Sequence, residues 1–397
     1  MSYAAAIPVL QREWGMSGAQ AGAVASGLQI GYAASLVICS SLADRVSARS
    51  VYIGSLFATA VCAMAFALLA RGFFSALVLN TIVGVSLGGG YTTCVMILAD
   101  QYAPSSRGMA VGWFVAATSC GYALSLAVSG AALPVGGYQL SFLLTCLGPV
   151  LGWVLAWVTL RHTRVAVAPR GQGQRFSREV LGNRRAMLLI WGYTAHNWEL
   201  QGMWSWTPAF MAACLTLAGS SVAGSAGWAA HMTALFHVMG LLACFTMGGL
   251  SDRMGRARVI LCLAAISGVC SLVFGWTVGW PLAVVIVIGT IYAFSSLGDS
   301  PVLSAALTES VESAYLGAAL GLRSLLGFGA AAVSPLVFGA ILDWTNPSRG
   351  LGQGQYMVWG WAFSALGLGG LGAVWAAHRY NILARESRDQ RSREGAP

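Results

Sequence analysis

The stretch SSLADRVSARSV at residues 40–51 returns as GGLSDRMGRARV at residues 248–259, setting Asp44 and Asp252 208 positions apart in a chain of 397 residues. Each copy lies in a short basic turn between two long apolar segments. A second echo follows at nearly the same offset: Asp100, Gly108 and Gly112 correspond to Glu309, Gly317 and Gly321. A chain that repeats itself at half-length, with basic turns between apolar spans, is built as two homologous membrane bundles.

Only 9% of the residues are charged and 57% are hydrophobic, with a mean hydropathy of +0.70, too few charges to cover the surface of a soluble domain. Stretches long enough to cross a bilayer run at 18–41, 51–70, 74–99, 108–133, 138–160, 186–213, 228–250, 258–277, 281–307, 314–341 and 355–378, with 1–10 as an incomplete twelfth. The expected fold is an all-α integral membrane protein of two six-helix bundles, twelve transmembrane helices with helix 1 truncated at its N-terminus. The first bundle covers 1–160, a basic linker 161–185, the second bundle 186–378 and a tail 379–397. The repeat register sets Met1 opposite Ala209 and leaves 186–208 without a counterpart, so further apolar codons are expected upstream.

All twenty-two basic residues are arginine. Placing the even-numbered loops, the linker and the tail in the cytoplasm puts eighteen of them there, as the positive-inside rule requires. The expected location is the bacterial inner membrane, with the linker and C-terminus cytoplasmic. The net charge of +9 thus reports topology and contact with anionic lipid, and calls for no nucleic-acid partner. The nine cysteines fall inside spans without a Cys-x-x-Cys pair and read as small apolar residues, so neither a disulfide nor a metal site is expected.

With the twin cytoplasmic motif, two six-helix halves and a basic central loop, the chain resembles the major facilitator superfamily. The second motif copy keeps Gly248, Leu250, Ser251, Asp252, Arg253, Gly255, Arg256 and Arg258; the first keeps Leu42, Ala43, Asp44, Arg45 and Arg49, with Ser40 and Ser47 in place of glycines. The resemblance implies that the motif carboxylate latches the cytoplasmic gate, binding the N–H groups and positive dipole end of a helix from the other half. Arg49 and Arg258 need no role beyond topology. Departures narrow the class. Asn80 stands where proton-coupled members often carry an Arg, helix 5 lacks the drug-antiporter signature, and neither 18–41 nor 228–250 holds the Arg of nitrate carriers. The cadence ESVESAYLGAALGLRSLLGFGAA near helix 11 is loosely similar to the cyanate/nitrate permease branch.

Ionisable groups within spans are costly and therefore mark function by default. The densest set is TAHNWELQGMWSW in span seven. His196, Glu199, Met203 and Trp206 share one helical face there, with Glu199 near mid-bilayer. Glu199 is the first candidate for proton coupling, with His196 as partner and His237 of span eight facing it; the structural alternative is that Glu199 and His196 satisfy each other. Asp299 and Arg323 lie at equal depth on adjacent helices and are expected to form an ion pair. Trp198 and Trp204 are candidates for the cavity lining, while Trp206, Trp228, Trp276, Trp280, Trp344 and Trp375 suit the bilayer interfaces.

The function expected is secondary active transport of a small solute by alternating access, proton-coupled, by a monomer without cofactor. The lack of a spare core Arg favours a cationic, zwitterionic or neutral solute. Two alternatives stand beside it: a copper or other metal-ion importer using Met and His ligands, and a non-transporting sensor or assembly factor. No nucleophile elbow, phosphate loop or metal-protease motif supports an enzyme.

Overall fold

The computed structural model describes residues 1–43, 45–163, 177–312, 315–347 and 356–394. Helix follows helix: α1 (Ser2–Glu13), α2 (Gly18–Ala43), α3 (Ala48–Leu69), α4 (Phe73–Leu87), α5 (Tyr91–Gln101), α6 (Pro104–Thr145), α7 (Leu147–Leu160), α8 (Arg184–Leu217), α9 (Val222–Met254), α10 (Arg256–Phe274), α11 (Leu282–Ser310), α12 (Leu316–Thr345) and α13 (Gly360–Glu394). Among the described residues, nine helical stretches are long and apolar enough to cross a membrane. The polar run of α8 keeps it off that set, yet α8 is buried along most of its length, enclosed by α9, α11, α12 and α13.

Several expected elements are reshaped, for local reasons. The fourth span is broken into α4 and α5 at Gly88, Gly89 and Gly90, where three residues in a row give a helix no side-chain support. Gly88 also lies directly on Ser35 of α2, an approach that any side chain would block. The fifth and sixth spans meet within α6, where the chain turns at Gly136 and at Gly137, whose φ of +61° is left-handed. The last helix does not stop near 378 but continues to Glu394, so most of the expected tail is helical. Linker residues 164–176 lie outside the described residues; the Asn183 side chain accepts from the Ala186 N–H at 3.1 Å and caps α8.

The bundles meet mainly along two helix pairs, α2 with α12 and α6 with α9, and α1 also packs on α8 and α9. At one end the backbones touch. A Cβ on Gly22 would strike the Pro335 carbonyl, one on Gly339 would strike that of Gly18, and one on Gly130 would sit 2.8 Å from the Gly227 carbonyl oxygen. Small residues permit this approach, as in other membrane helix pairs. Toward the other end the pairs are looser. At Gly112 and Gly121 of α6, Gly248 and Gly249 of α9, and Gly317 and Gly321 of α12, a Cβ would meet no described atom within 4 Å. Trp113 still touches Phe245 there, with ring centroids 5.6 Å apart. Gly339→Ala should therefore pry α12 from α2 and destabilise the purified protein by about 1–3 kcal/mol, the usual cost of overpacking. An unaltered melting temperature in detergent would show the contact to be dispensable.

Candidate functional site

The expected residues separate into two buried groups and one contact at an end of the bundles. The first group lies inside the second bundle. His196 of α8 places Nδ1 3.1 Å from Asp299 Oδ1 and Nε2 2.9 Å from Ser300 Oγ, both on α11. His196 and Asp299 are each 2% exposed. Glu199, one turn further along α8, points to α10, where its Oε1 accepts from Ser267 Oγ at 2.7 Å. The Tyr292 hydroxyl donates to Ser271 Oγ at 2.9 Å and also engages the Glu199 carboxyl. His196 and Glu199 are thus not each other's hydrogen-bond partners, although they remain within electrostatic range. Each has found a hydroxyl, and His196 a carboxylate, on a different neighbouring helix.

The second group corrects the expected ion pair. Arg323 does not pair with Asp299. Its guanidinium donates from Nη1 to Ser304 Oγ at 2.7 Å and lies over the Tyr193 ring, 4.1 Å from the centroid. Asp299 has turned to His196 instead, and no acidic partner reaches Arg323 among the described residues. Its Nε is without a hydrogen-bond partner there, although the residue is 7% exposed. Tyr91 of the first bundle is within electrostatic range of Arg323, and Tyr32 is within range of Tyr91, Tyr122 and Tyr193. Tyr32 also packs edge-on against Phe328 across the two bundles at 4.9 Å.

Trp204 joins this interface, edge-on to Tyr122 at 5.2 Å, and His237 packs against both rings at 5.1 and 5.6 Å. His237 therefore faces the first bundle rather than Glu199. Trp198 turns the other way, donating from Nε1 to the Ala365 carbonyl of α13 at 3.0 Å, so it lines no interface between the bundles. Trp206 is no bilayer anchor. It is fully buried, stacked on Phe338 at 5.2 Å and bonded to the Pro335 carbonyl at 3.0 Å. Met203 is buried beside Ser296, and Asn80 ties α4 to the Val24 carbonyl of α2 at 2.8 Å, a strut within the first bundle.

At the loosely packed end, Asp44 lies outside the described residues. Arg45 is exposed, and Arg49 donates to the Arg161 carbonyl at 2.7 Å. In the second copy Gly255 takes a φ of +92° to end α9, which explains a glycine at that place. Arg256 bridges Asp252 at 2.6 Å and Glu309 at 2.9 Å, while Arg253 is exposed. At the tightly packed end stands a contact that the sequence reading missed. Asp343 of α12 accepts from the Gly18 and Ala19 N–H groups at 2.7 and 2.8 Å, capping the first turn of α2, and accepts from the Tyr356 hydroxyl at 2.7 Å. The only signal in the sequence was an acid near the end of an apolar span.

The model of the Major Facilitator Superfamily matches residues 1–322, and the chain belongs to that family. It is similar to the probable sulfoacetate transporter SauU of Cupriavidus necator, 24% identical over 86% of this chain and 83% of that one. It is also similar to the 4-hydroxybenzoate transporter PcaK of Pseudomonas putida, 26% identical over 87% and 81%. Among solved structures, the nucleoside transporter NupG superposes with a TM-score of 0.70 at 15% identity, over 96% of this chain and 97% of that one. The protein is a membrane transporter of small solutes, not an enzyme.

Proposed function

We propose that the protein is a proton-coupled symporter of small organic anions in the bacterial inner membrane, working as a monomer with the arginine-rich loops in the cytoplasm. The observation that carries this reading is Arg323: a buried guanidinium beside the bundle interface, held by a hydroxyl and an aromatic face, without an acidic partner among the described residues. A carboxylate or sulfonate entering the interface would supply the missing anion through a forked, charge-assisted hydrogen bond. Sulfoacetate and 4-hydroxybenzoate, named for the two relatives, both carry such a group. The rings of Tyr32, Tyr91, Tyr122 and Trp204 offer apolar faces and, in the tyrosines, hydroxyls to the rest of the solute. This reverses the expectation of a cationic, zwitterionic or neutral solute, which rested on Arg323 being neutralised by Asp299.

Coupling is assigned to the buried acids. Moving a charged solute with a proton requires a group that is protonated in one half of the cycle, and Glu199, enclosed in the low dielectric of the second bundle, fits that need. Purified protein should melt at a higher temperature with saturating 4-hydroxybenzoate or sulfoacetate, by the equivalent of about 2.7 kcal/mol at a hundredfold excess over Kd. A neutral nucleoside and choline should leave it unmoved. Absence of any shift with both acids would refute the anion reading. Glu199→Gln should keep the shift but lose at least tenfold in pH-gradient-driven accumulation, and wild-type accumulation in that variant would remove Glu199 from the coupling step.

A further inference from the structure

Tyr193, Asn197, Gln201 and Trp204 follow one another along α8 at steps of four, four and three residues, and so share one face of the helix. That face meets the first bundle. Tyr193 carries the Arg323 guanidinium on its ring, and Trp204 packs against Tyr122. Asn197 turns back to its own helix, donating to the Tyr193 carbonyl at 2.9 Å. Gln201 reaches across instead: its Oε1 accepts from Gln29 Nε2 of α2 at 2.8 Å. This contact joins the bundles without a charge, and it uses only half of what two amides offer. Gln201 is 9% exposed, and among the described residues neither its Nε2 nor Gln29 Oε1 has a hydrogen-bond partner. One donor group and one acceptor are therefore left over, one on each bundle.

We propose that the Gln29–Gln201 pair is a subsite of the solute pocket, one that reads a hydroxyl at the end of the anion remote from its acid group. The inference rests on the anion reading above, with Arg323 as the partner of the acid. A hydroxyl is both donor and acceptor. It can donate to Gln29 Oε1 and accept from Gln201 Nε2, the two groups that the amide pair leaves unused. The spacing fits as well. Tyr193, under the guanidinium, and Gln201 are eight residues apart on α8, a rise of about 12 Å. A benzene ring with its two groups at opposite positions covers that span when a hydrogen bond of about 2.9 Å is added at each end. Tyr32 stands one turn past Gln29 on α2, within electrostatic range of Tyr122 and Tyr193, where the solute ring would pass. Trp204 and Tyr122 stand beyond the amides and close that end. A solute held this way bonds to both bundles at once: to the second through Arg323 and Gln201, and to the first through Gln29.

Titration calorimetry on the purified full chain tests this with 4-hydroxybenzoate and benzoate, which share the acid and the ring and differ in the hydroxyl alone. The wild-type protein should bind 4-hydroxybenzoate about tenfold or more tightly than benzoate, as expected for one or two hydrogen bonds. Gln201→Met keeps the length of the side chain and removes the amide. It should weaken 4-hydroxybenzoate until the two affinities lie within about twofold of each other. Gln29→Met should do the same from the other bundle, so a folding defect in one variant leaves the other to decide. Loss of a purely structural contact between the bundles would change both affinities by one factor and keep their ratio at the wild-type value. A wild-type ratio near one, or a ratio that survives both substitutions, overturns the subsite and leaves the anion reading standing. If neither acid binds the wild-type protein, the anion reading itself fails and takes this inference with it.

Discussion

Arg323→Ala should weaken binding of organic anions by about thirtyfold or more while the protein still folds. Among the described residues the guanidinium makes one hydrogen bond, to Ser304, and one ring contact, with Tyr193, so truncation removes little packing and leaves no described carboxylate stranded. That asymmetry matters. Had Arg323 been paired with Asp299, the alanine variant would have left an uncompensated acid in the bundle, and instability would mask any loss of binding. As built, the cost falls on the solute, which must bury its own charge without a counterion, a loss of about 2–5 kcal/mol, equivalent to about thirtyfold or more in Kd. Arg323→Lys should retain part of the affinity, because an ammonium keeps the charge but lacks the planar fork. Titration calorimetry with 4-hydroxybenzoate and sulfoacetate decides the matter, and wild-type affinity in Arg323→Ala would remove the arginine from the site.

The misplacement of that arginine shows where sequence reasoning ends. Counting residues from the loops gives the depth of a side chain in the bilayer, and depth was enough to recognise spans, the two bundles and a cluster of buried ionisable groups. Depth does not give azimuth. Asp299 and Arg323 are level, yet Asp299 faces α8 and meets His196, whereas Arg323 faces Ser304 and Tyr193. Trp198 and Trp204 illustrate the same limit. Six residues turn a helix by about 240°, and the two rings accordingly bond to α13 and to the first bundle. The aromatic lining escaped notice for a related reason. Tyr32, Tyr91, Tyr122 and Tyr193 come from four helices, and no spacing along the chain reveals their convergence. Where the physics is local a single position is easier to account for, as at Gly255, whose positive φ explains a glycine in the motif.

Asp343→Ala should open the end of the protein opposite the twin motif. The expectation for Asp44 was that a carboxylate from one bundle would hold the N-terminal turn of a helix from the other. Asp44 lies outside the described residues, and a contact of the same kind is made by Asp343 on the first turn of α2, at the end where Gly18 and Gly339 bring the backbones into contact. Three donors converge on this one carboxylate, two from the α2 backbone and one from Tyr356, whose hydroxyl also accepts from Gln11 of α1 at 3.3 Å. Hydrogen bonds to a charged group contribute about 1.5–3 kcal/mol each, so the loss of even one should shift the balance between closed and open states of this end by about tenfold or more. Hydrogen exchange followed by mass spectrometry reads this directly. The Gly18 and Ala19 amides should exchange at least tenfold faster in Asp343→Ala, with the amides inside α10, far from the contact, unchanged. Asp343→Asn, which retains one acceptor oxygen, should fall between the two. If the start of α2 exchanges at the wild-type rate in both variants, the seal belongs to the glycine contacts alone; if it loosens as expected, alternating access in this protein turns on a carboxylate–helix contact at the end opposite the twin motif.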